Sequence, residues 1–567
     1  MKSLIVKSKW LIGQFRPIVF HLILIVFLGL LTSMNSVYRA VVIKNLIDSA
    51  TGGNPSSILR PLTILGLLIV VELVVNYVHA LLNSYCSTKF SNTLQKRLYY
   101  HITHSEWIEG SKYHSGDLIS RMLNDTSSIT NLVVNTIPNI LSLLFMIISS
   151  FILLLSYEPT IAFLTLLIGP IALLFSRFYS KKLKNIHLKT QENESKYLSF
   201  IQESINNILV IKTFCLEKFN LNKVDTLQNK RISLSLSRIH LSALYGTSIN
   251  LGYWFTYFVT FGLGSFQIAS GHSSFGTLTA LLQLTSSVQV PLSSLASSLS
   301  QFITAYASIE RLMEIEKLPL EYIIEENQGE SDFIFPLIEY NNVSFSYKDS
   351  IPILKDLSFS ILPGEIVALV GPSGEGKTTL IRLLLSLIKP KTGTLKIKTD
   401  NKYFDISPET RHYISYVPQG NTLFSGTIAE NVRYGLLDAT DKDIEIALKA
   451  ACAWDFVNNL PDKTETIICE HGAGLSEGQA QRLVIARALI RKRPILILDE
   501  ITSALDMDTE VKVLRAIENL DYHPTCIIIT HRPSALAICD RILKLDNCNL
   551  HEIDINSIQE SALGLSK

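Results

Sequence analysis

Read from its N-terminus, the chain is apolar in long blocks before it turns to short alternating patterns. Five stretches carry no Asp, Glu, Lys or Arg, or almost none: Pro17–Tyr38, Pro61–Thr88 (broken only by Glu72), Thr126–Tyr157, Pro159–Ser176 and Ile239–Ile309. About 20 apolar residues cross a bilayer core as helix. The last stretch is 71 residues long, so it holds two crossings, divided near Ser270-Gly271-His272-Ser273-Ser274. The pattern predicts six membrane helices.

The segments between them set the orientation. Lysine and arginine gather in the N-terminal arm, between the second and third spans, and from Arg177 to Arg238. The turns at Glu158 and near His272 carry neither, so both termini and both long connections are expected on the cytosolic side. The loop 39–60, with Arg39, Lys44 and Arg60, votes the other way and is outvoted. Leu94–His104 and Lys181–Leu209 read as helix, so the spans are expected to run past the membrane. Each connection reverses near a short element, at Ser105–Ser111 and about Asn207–Leu216, which reads either as a rod that passes force to a soluble motor or as a solvated helical hairpin with no mechanical role.

Within the second span, Glu72, Asn76, His79 and Asn83 fall at i, i+4, i+7 and i+11, one helical face. A polar stripe against lipid is costly, so this face predicts a protein interior or a watery substrate path lined by Glu72, Asn76 and His79. The sixth span is rich in Ser, Thr and Gln. Small polar residues also serve plain helix packing in membranes, so the stripe alone leaves both readings open.

Composition agrees. The chain has 567 residues, enough for two or more domains, with only 18% charged residues. Its mean hydropathy is +0.27, as expected of a membrane protein. A net charge of +1 gives no electrostatic case for nucleic acid. Seven scattered cysteines without a CxxC pair fit reduced thiols rather than a disulfide framework or a zinc site. The basic N-terminal arm precedes an apolar run that reaches Tyr38 without a small-residue cleavage site, so it reads as a retained helix.

After Lys317 the chain becomes polar and acidic to Phe335, a linker, and then globular. Val343-Ser344-Phe345-Ser346-Tyr347 alternates as a strand does. The apolar run Ile366–Val370 leads into Gly371-Pro372-Ser373-Gly374-Glu375-Gly376-Lys377-Thr378-Thr379, followed by the helical pattern Leu380–Ile388. This is the spacing of a phosphate loop. Glycines let backbone N–H groups close around phosphate, and the new helix turns its positive end toward them. Lys377 is expected to reach the β/γ-phosphates and the Thr378 hydroxyl to ligate Mg²⁺. A second motif, Ile495–Leu498 followed by Asp499 and Glu500, is a buried strand ending in carboxylates. Asp499 suits Mg²⁺, and Glu500 can take a proton from attacking water. Ser476-Glu477-Gly478-Gln479 opens a helix as a capping box, with Ser476 at N-cap and Gln479 at N3.

Together these motifs resemble the ATP-binding cassette (ABC) transporters, specifically exporter-type half-transporters with a membrane domain before the nucleotide domain. The resemblance runs over nearly the whole chain. It implies that Tyr347 stacks on adenine and that Gly371, Ser373, Gly374, Gly376, Lys377, Thr378 and Thr379 form the Walker A loop. It implies that Gln419 is the Q-loop residue, near metal and catalytic water, and that Ser476, Gly478 and Gln479 belong to the signature. Asp499 and Glu500 match the Walker B pair, Asp506 (after Ser503-Ala504-Leu505) the D-loop, and His531 the switch histidine. Leu423–Ile428 and Thr466–Gly472, with Glu470, resemble segments that meet the membrane domain. Tyr113–Leu118 with Arg121 and Asp125, and Val210–Phe214, resemble its intracellular loops. The signature departs from the family at Glu477, where glycine is usual; an acid at a helix start is favoured by the dipole.

The expected architecture is an α-helical six-span membrane domain (1–316), a linker (317–335) and an α/β P-loop nucleotide-binding domain with a helical subdomain (336–567). In the family, ATP lies between the Walker A face of one nucleotide domain and the signature of another. A second half-transporter subunit is therefore implied, with a homodimer favoured because one chain holds every motif and one half of a heterodimeric transporter as the alternative. The favoured function is ATP-driven export of a small amphipathic molecule, lipid or peptide across the cell membrane, with ATP and Mg²⁺ as cofactors. An importer on the same scaffold and a non-transporting partner are the alternatives. The latter is expected to lose a catalytic residue, and Glu500, His531 and Gln419 are intact.

Overall fold

The computed structural model describes residues 2–15, 17–52, 55–321, 336–347, 352–399, 402–469, 472, 474–501 and 505–553. Most of the linker, Glu470 and the Ser503-Ala504 pair lie outside them. The chain forms two compact units. One holds residues 1–103 and 114–317, and the other holds 104–113 and 318–567.

The first unit is helical. Its long helices are Val19–Thr51, Leu59–His104, a run from Ser115 to Tyr157, Pro159–Asn206, Glu217–Ala269 and Phe275–Glu316. Among the described residues the first three are long and apolar enough to cross a membrane by length and composition alone. The boundary expected near residue 270 is where the fifth helix ends and the sixth begins. Ser274 caps the latter, its hydroxyl accepting from the Thr277 N–H at 3.1 Å. The second helix has 46 residues, roughly 70 Å at 1.5 Å per residue, about twice a bilayer core. The third is not uniform: Arg121–Asp125 and Asn131–Thr136 are wound as π-helix. Just there Asp125, almost fully buried, receives Arg311 and the Ser308 hydroxyl from the sixth helix.

The second unit is built on a six-stranded sheet. Its spatial order is Asn549–Ile553, Arg541–Asp546, Ile366–Val370, Thr525–Ile529, Ile495–Asp499 and Ile414–Val417. All neighbours are parallel except the first pair. The strands are continuous apolar runs because both faces are covered. A four-stranded antiparallel sheet, Leu354–Ile361, Leu337–Phe345, Thr392–Thr399 and Lys402–Asp405, shares one core with the helix Lys377–Leu384. On the opposite face, Glu477–Leu489 packs against the short helices Ile428–Arg433 and Asp441–Ala450, the helical subdomain.

Residues 104–113 belong to this unit although they lie between two membrane helices. Trp107 and Ile108 pack against its core, and Glu106 pairs with Lys389 at 2.7 Å. The Glu106 N–H donates to the Pro319 carbonyl at 2.9 Å, and Glu321 N–H to His104 at 2.7 Å. Arg411 then grips Glu321 with two bonds, 2.6 and 2.9 Å. Bidentate Arg–carboxylate geometry makes this a firm anchor.

Candidate nucleotide site and intramembrane polar groups

Four parallel strands, Ile366–Val370, Thr525–Ile529, Ile495–Asp499 and Ile414–Val417, deliver the candidate chemistry at their C-terminal ends, where open α/β sheets place their ligands. Ile366–Val370 runs into the phosphate loop. Gly371 has φ +147°, and a Cβ there would lie 2.2 Å from the Leu545 carbonyl, so the loop tolerates only glycine at its entry. Gly376, with φ +107°, then opens the helix Lys377–Leu384. Lys377 is nearly buried and folds its ammonium back onto the Gly371 and Pro372 carbonyls, the latter at 2.9 Å. Burial pushes this lysine below its ordinary range, against the opposing fields of Glu500, Asp499 and Glu375. Its self-contacts occupy donors that a phosphate can take over.

The strand Ile495–Asp499, between Thr525–Ile529 and the edge strand Ile414–Val417, ends in Asp499, 2% exposed, whose carboxylate accepts from the Tyr416 hydroxyl at 3.2 Å. Burial raises its pKa, with the Tyr416 bond and nearby Arg382 and Lys377 acting the other way. Glu500 follows with φ +51°, a left-handed conformation unusual for a non-glycine residue. Its N–H is held by the Ile529 carbonyl at 3.0 Å, and its carboxylate accepts from Gln419 Nε2 at 2.5 Å. Such strain concentrates at working sites because the surroundings must enforce it. Gln419 and Glu500, 81 residues apart, are thus brought together. His531 is exposed on the loop after the neighbouring strand Thr525–Ile529.

Ser476 accepts from the Gln479 N–H at 3.2 Å, and Gln479 Oε1 accepts from the Ser476 N–H at 2.9 Å, a closed capping box. Glu477 and Gly478 occupy the first turn of that helix. Asp506 caps Met507–Glu518 by accepting from Thr509 N–H at 2.9 Å, and these bonds hold its carboxyl below the usual range. Thr379 lies behind the loop, 3.5 Å from the Tyr347 hydroxyl. Tyr347 is 45% exposed and braced edge-on by Phe345.

Sequence patterns did not single out Arg382. It donates to the Tyr347 hydroxyl at 2.9 Å and lies 4.7 Å over the Trp107 ring. One guanidinium therefore joins the aromatic beside the phosphate loop to the segment 104–113. Among the described residues no three His, Cys, Asp or Glu side chains cluster as a metal site. One carboxylate, Asp499, with the Thr378 hydroxyl and the Gln419 amide is a hard oxygen set. It matches a Mg²⁺ that takes its other ligands from phosphates and water.

In the helical unit the predicted polar stripe divides. Glu72 is bound by Arg39 at 2.7 Å and Asn35 at 3.3 Å, both on the first helix. Asn83 donates to Asn135 Oδ1 at 2.7 Å. Asn76 is exposed and His79 half-buried.

A helical membrane unit joined to a P-loop ATPase unit with a signature helix defines the class, and the comparisons agree. Residues 22–292 match the ABC transporter transmembrane region and residues 354–503 the ABC transporter model. The chain is 30% identical over 513 residues to an ATP-dependent lipid A-core flippase of Syntrophus aciditrophicus (strain SB), spanning 89% of this chain and 84% of that protein. It is 31% identical over 432 residues to a multidrug resistance ABC transporter ATP-binding and permease protein of Lactococcus lactis subsp. lactis (strain IL1403), 76% and 72% of the two. Its fold is similar to a bacterial Atm1-family ABC exporter solved with ATP bound, with a TM-score of 0.80 and 23% identity over 97% of this chain and 96% of that one. The chain belongs to the ABC transporter family. It is an exporter-type, multi-pass membrane ATPase whose nucleotide unit binds and hydrolyses ATP.

Proposed function

We propose that the chain works as a homodimer that exports a small amphipathic molecule by alternating access. The observation that carries this is completeness. One chain holds Lys377, Asp499, Glu500, Gln419, His531 and the Ser476–Gln479 signature in usable form. Two copies then make two composite sites, each with one copy's phosphate loop facing the other's signature. Exposed apolar residues at the second cytosolic reversal support a partner. Leu209 and Phe214 are 73% and 72% exposed, with Ile208 and Phe219 open beside them. A second copy is the proposed cover. Mg²⁺, held by Thr378, Asp499 and Gln419, would supply charge neutralisation on the phosphates. Lys377 binds the β/γ-phosphates, Ser476 and Gly478 of the other copy close over them, Glu500 takes the proton of attacking water, and His531 steadies the γ-phosphate.

Both termini and the nucleotide unit are assigned to the cytosol, an orientation supported by the basic connections. The lipid A-core flippase among the relatives favours a lipid-like cargo. Purified alone in lipid, the chain is expected to form ATP-dependent dimers, hydrolyse ATP, and load amphipathic cargo into inside-out vesicles. Activity only after adding a different half-transporter sinks the homodimer; loading of right-side-out vesicles instead makes it an importer.

Segment 104–113 is assigned to coupling, with Arg382 as its link to the nucleotide. Arg382→Ala removes a hydrogen bond to Tyr347 and a cation–π contact of about 0.5–2 kcal/mol. ATP affinity is expected to fall about three- to tenfold, with a smaller cargo-stimulated fraction of turnover. Full stimulation in the variant excludes this link.

A further inference from the structure

The helical unit contains a cavity of about 530 Å³ between the second and third long helices. Its size is that of a small-molecule site. Its lining is not, since every described lining residue is Ser, Thr, Asn or Gln. Ser91, Asn92 and Gln95 come from the second helix, and Thr130, Asn131 and Asn135 from the third. No ionisable, aliphatic or aromatic side chain is among them.

Two observations mark it as more than a solvated cleft. The Thr130 side chain is 3% exposed, yet its hydroxyl has no hydrogen-bond partner. A buried hydroxyl without a partner costs free energy that a guest or water can restore. The amides are also ordered. Asn83 donates to Asn135 Oδ1 at 2.7 Å, and Asn135 donates to Asn131 Oδ1 at 2.8 Å. This ladder occupies the Asn131 oxygen, so its NH₂ is the group it can offer a guest. The stretch Asn131–Thr136 is π-helical, a local widening that often accompanies function.

Position narrows the guest, resting on the membrane placement and cytosolic orientation proposed above. The apolar stretch of the second helix ends at Thr88, and that of the third begins at Thr126. The cavity therefore lies at the cytosolic headgroup level. On the second helix, Leu81 and Tyr77 stand about two and three turns toward the bilayer from Thr88 on the face of Asn92, and both are more than half exposed.

We propose that this cavity holds the uncharged, hydroxyl-rich head of an amphiphile whose tail lies along Tyr77 and Leu81. A charged head would enter a site with no counter-charge in its lining and be left unpaired. Vicinal hydroxyls match paired amide and hydroxyl groups that each donate and accept. An extended peptide would need apolar subsites, which the lining lacks.

The test is equilibrium binding to the full chain in lipid nanodiscs without nucleotide, using a fluorescent alkyl maltoside below its micellar concentration. No ATP and no transport are involved, so the result is independent of export direction and of the homodimer. Unlabelled alkyl maltoside is expected to compete. Free maltose should compete at least tenfold less well, and alkyl trimethylammonium and alkyl sulfate of the same chain length should not compete. Asn92→Ala with Gln95→Ala, on the solvent side of the cavity, should weaken binding about tenfold, as loss of two ordinary hydrogen bonds implies. Ser91→Trp, which fills the space, should abolish it. Equal competition by maltose or by the charged analogues, or unchanged affinity in both variants, would overturn the proposal.

Discussion

Glu500→Gln is expected to cut ATP turnover by a factor of about 10²–10⁴, the usual contribution of a positioned general base. The substitution keeps the shape of the site. Gln419 Nε2, now 2.5 Å from the carboxylate, can still donate to the amide oxygen of glutamine. The left-handed backbone at φ +51° is equally accessible to glutamine, and the Ile529 carbonyl still holds the N–H. Asp499 and Thr378 are untouched, and Lys377 loses only part of a charge field it shares with Asp499 and Glu375. What disappears is the proton acceptor. ATP affinity should hold or rise, and ATP should trap a dimer that elutes at twice the mass of the free chain. Turnover near the original rate would move the base role elsewhere. Asp499 is a poor substitute, because its buried carboxylate already accepts from Tyr416.

Much of this site can be read from the chain because its parts are local. A phosphate loop is nine consecutive residues, and the Ser476–Gln479 cap spans four. Both are written in consecutive residues and both are formed, although the close approach of Gly371 to the Leu545 carbonyl is tertiary. The break at residue 270 is equally local, written in Gly271 and in the capping hydroxyl of Ser274. The groups that escape a linear reading are joined only by tertiary structure. Tyr416 meets Asp499 through adjacent strands 83 residues apart in sequence, and Arg382 reaches Trp107 across 275 residues. Segment 104–113 has too few apolar positions to show a period, yet Trp107 and Ile108 place it in the nucleotide unit's core. The π-helical turns of the third helix, which contain Asp125 and Asn131, leave no mark on the apolar pattern.

The Arg39–Glu72 pair is the clearest case, and it carries the largest stability effect expected in the helical unit. Arg39 in sequence is a vote on topology and Glu72 a candidate lining group of the path. In the fold they meet at 2.7 Å across neighbouring helices, with side chains 30% and 25% exposed. Glu72 lies about 18 Å along the helix from Arg60, near mid-bilayer if that end meets the interface. A cation left alone at such depth costs about 2.5–3.5 kcal/mol on insertion scales. Partial exposure of this pair, and the remaining Asn35, bring the expected loss for Glu72→Gln nearer 2 kcal/mol. Unfolding in lipid–detergent mixtures should detect it as an earlier transition. Arg39→Met combined with Glu72→Gln should recover most of the loss, because the orphaned charge is removed with its partner. The path-lining alternative predicts another signature: stability near the original, with stimulation by cationic cargo lost and stimulation by neutral cargo kept. The double substitution separates them, since restoring stability cannot restore a charge that cargo was meant to meet.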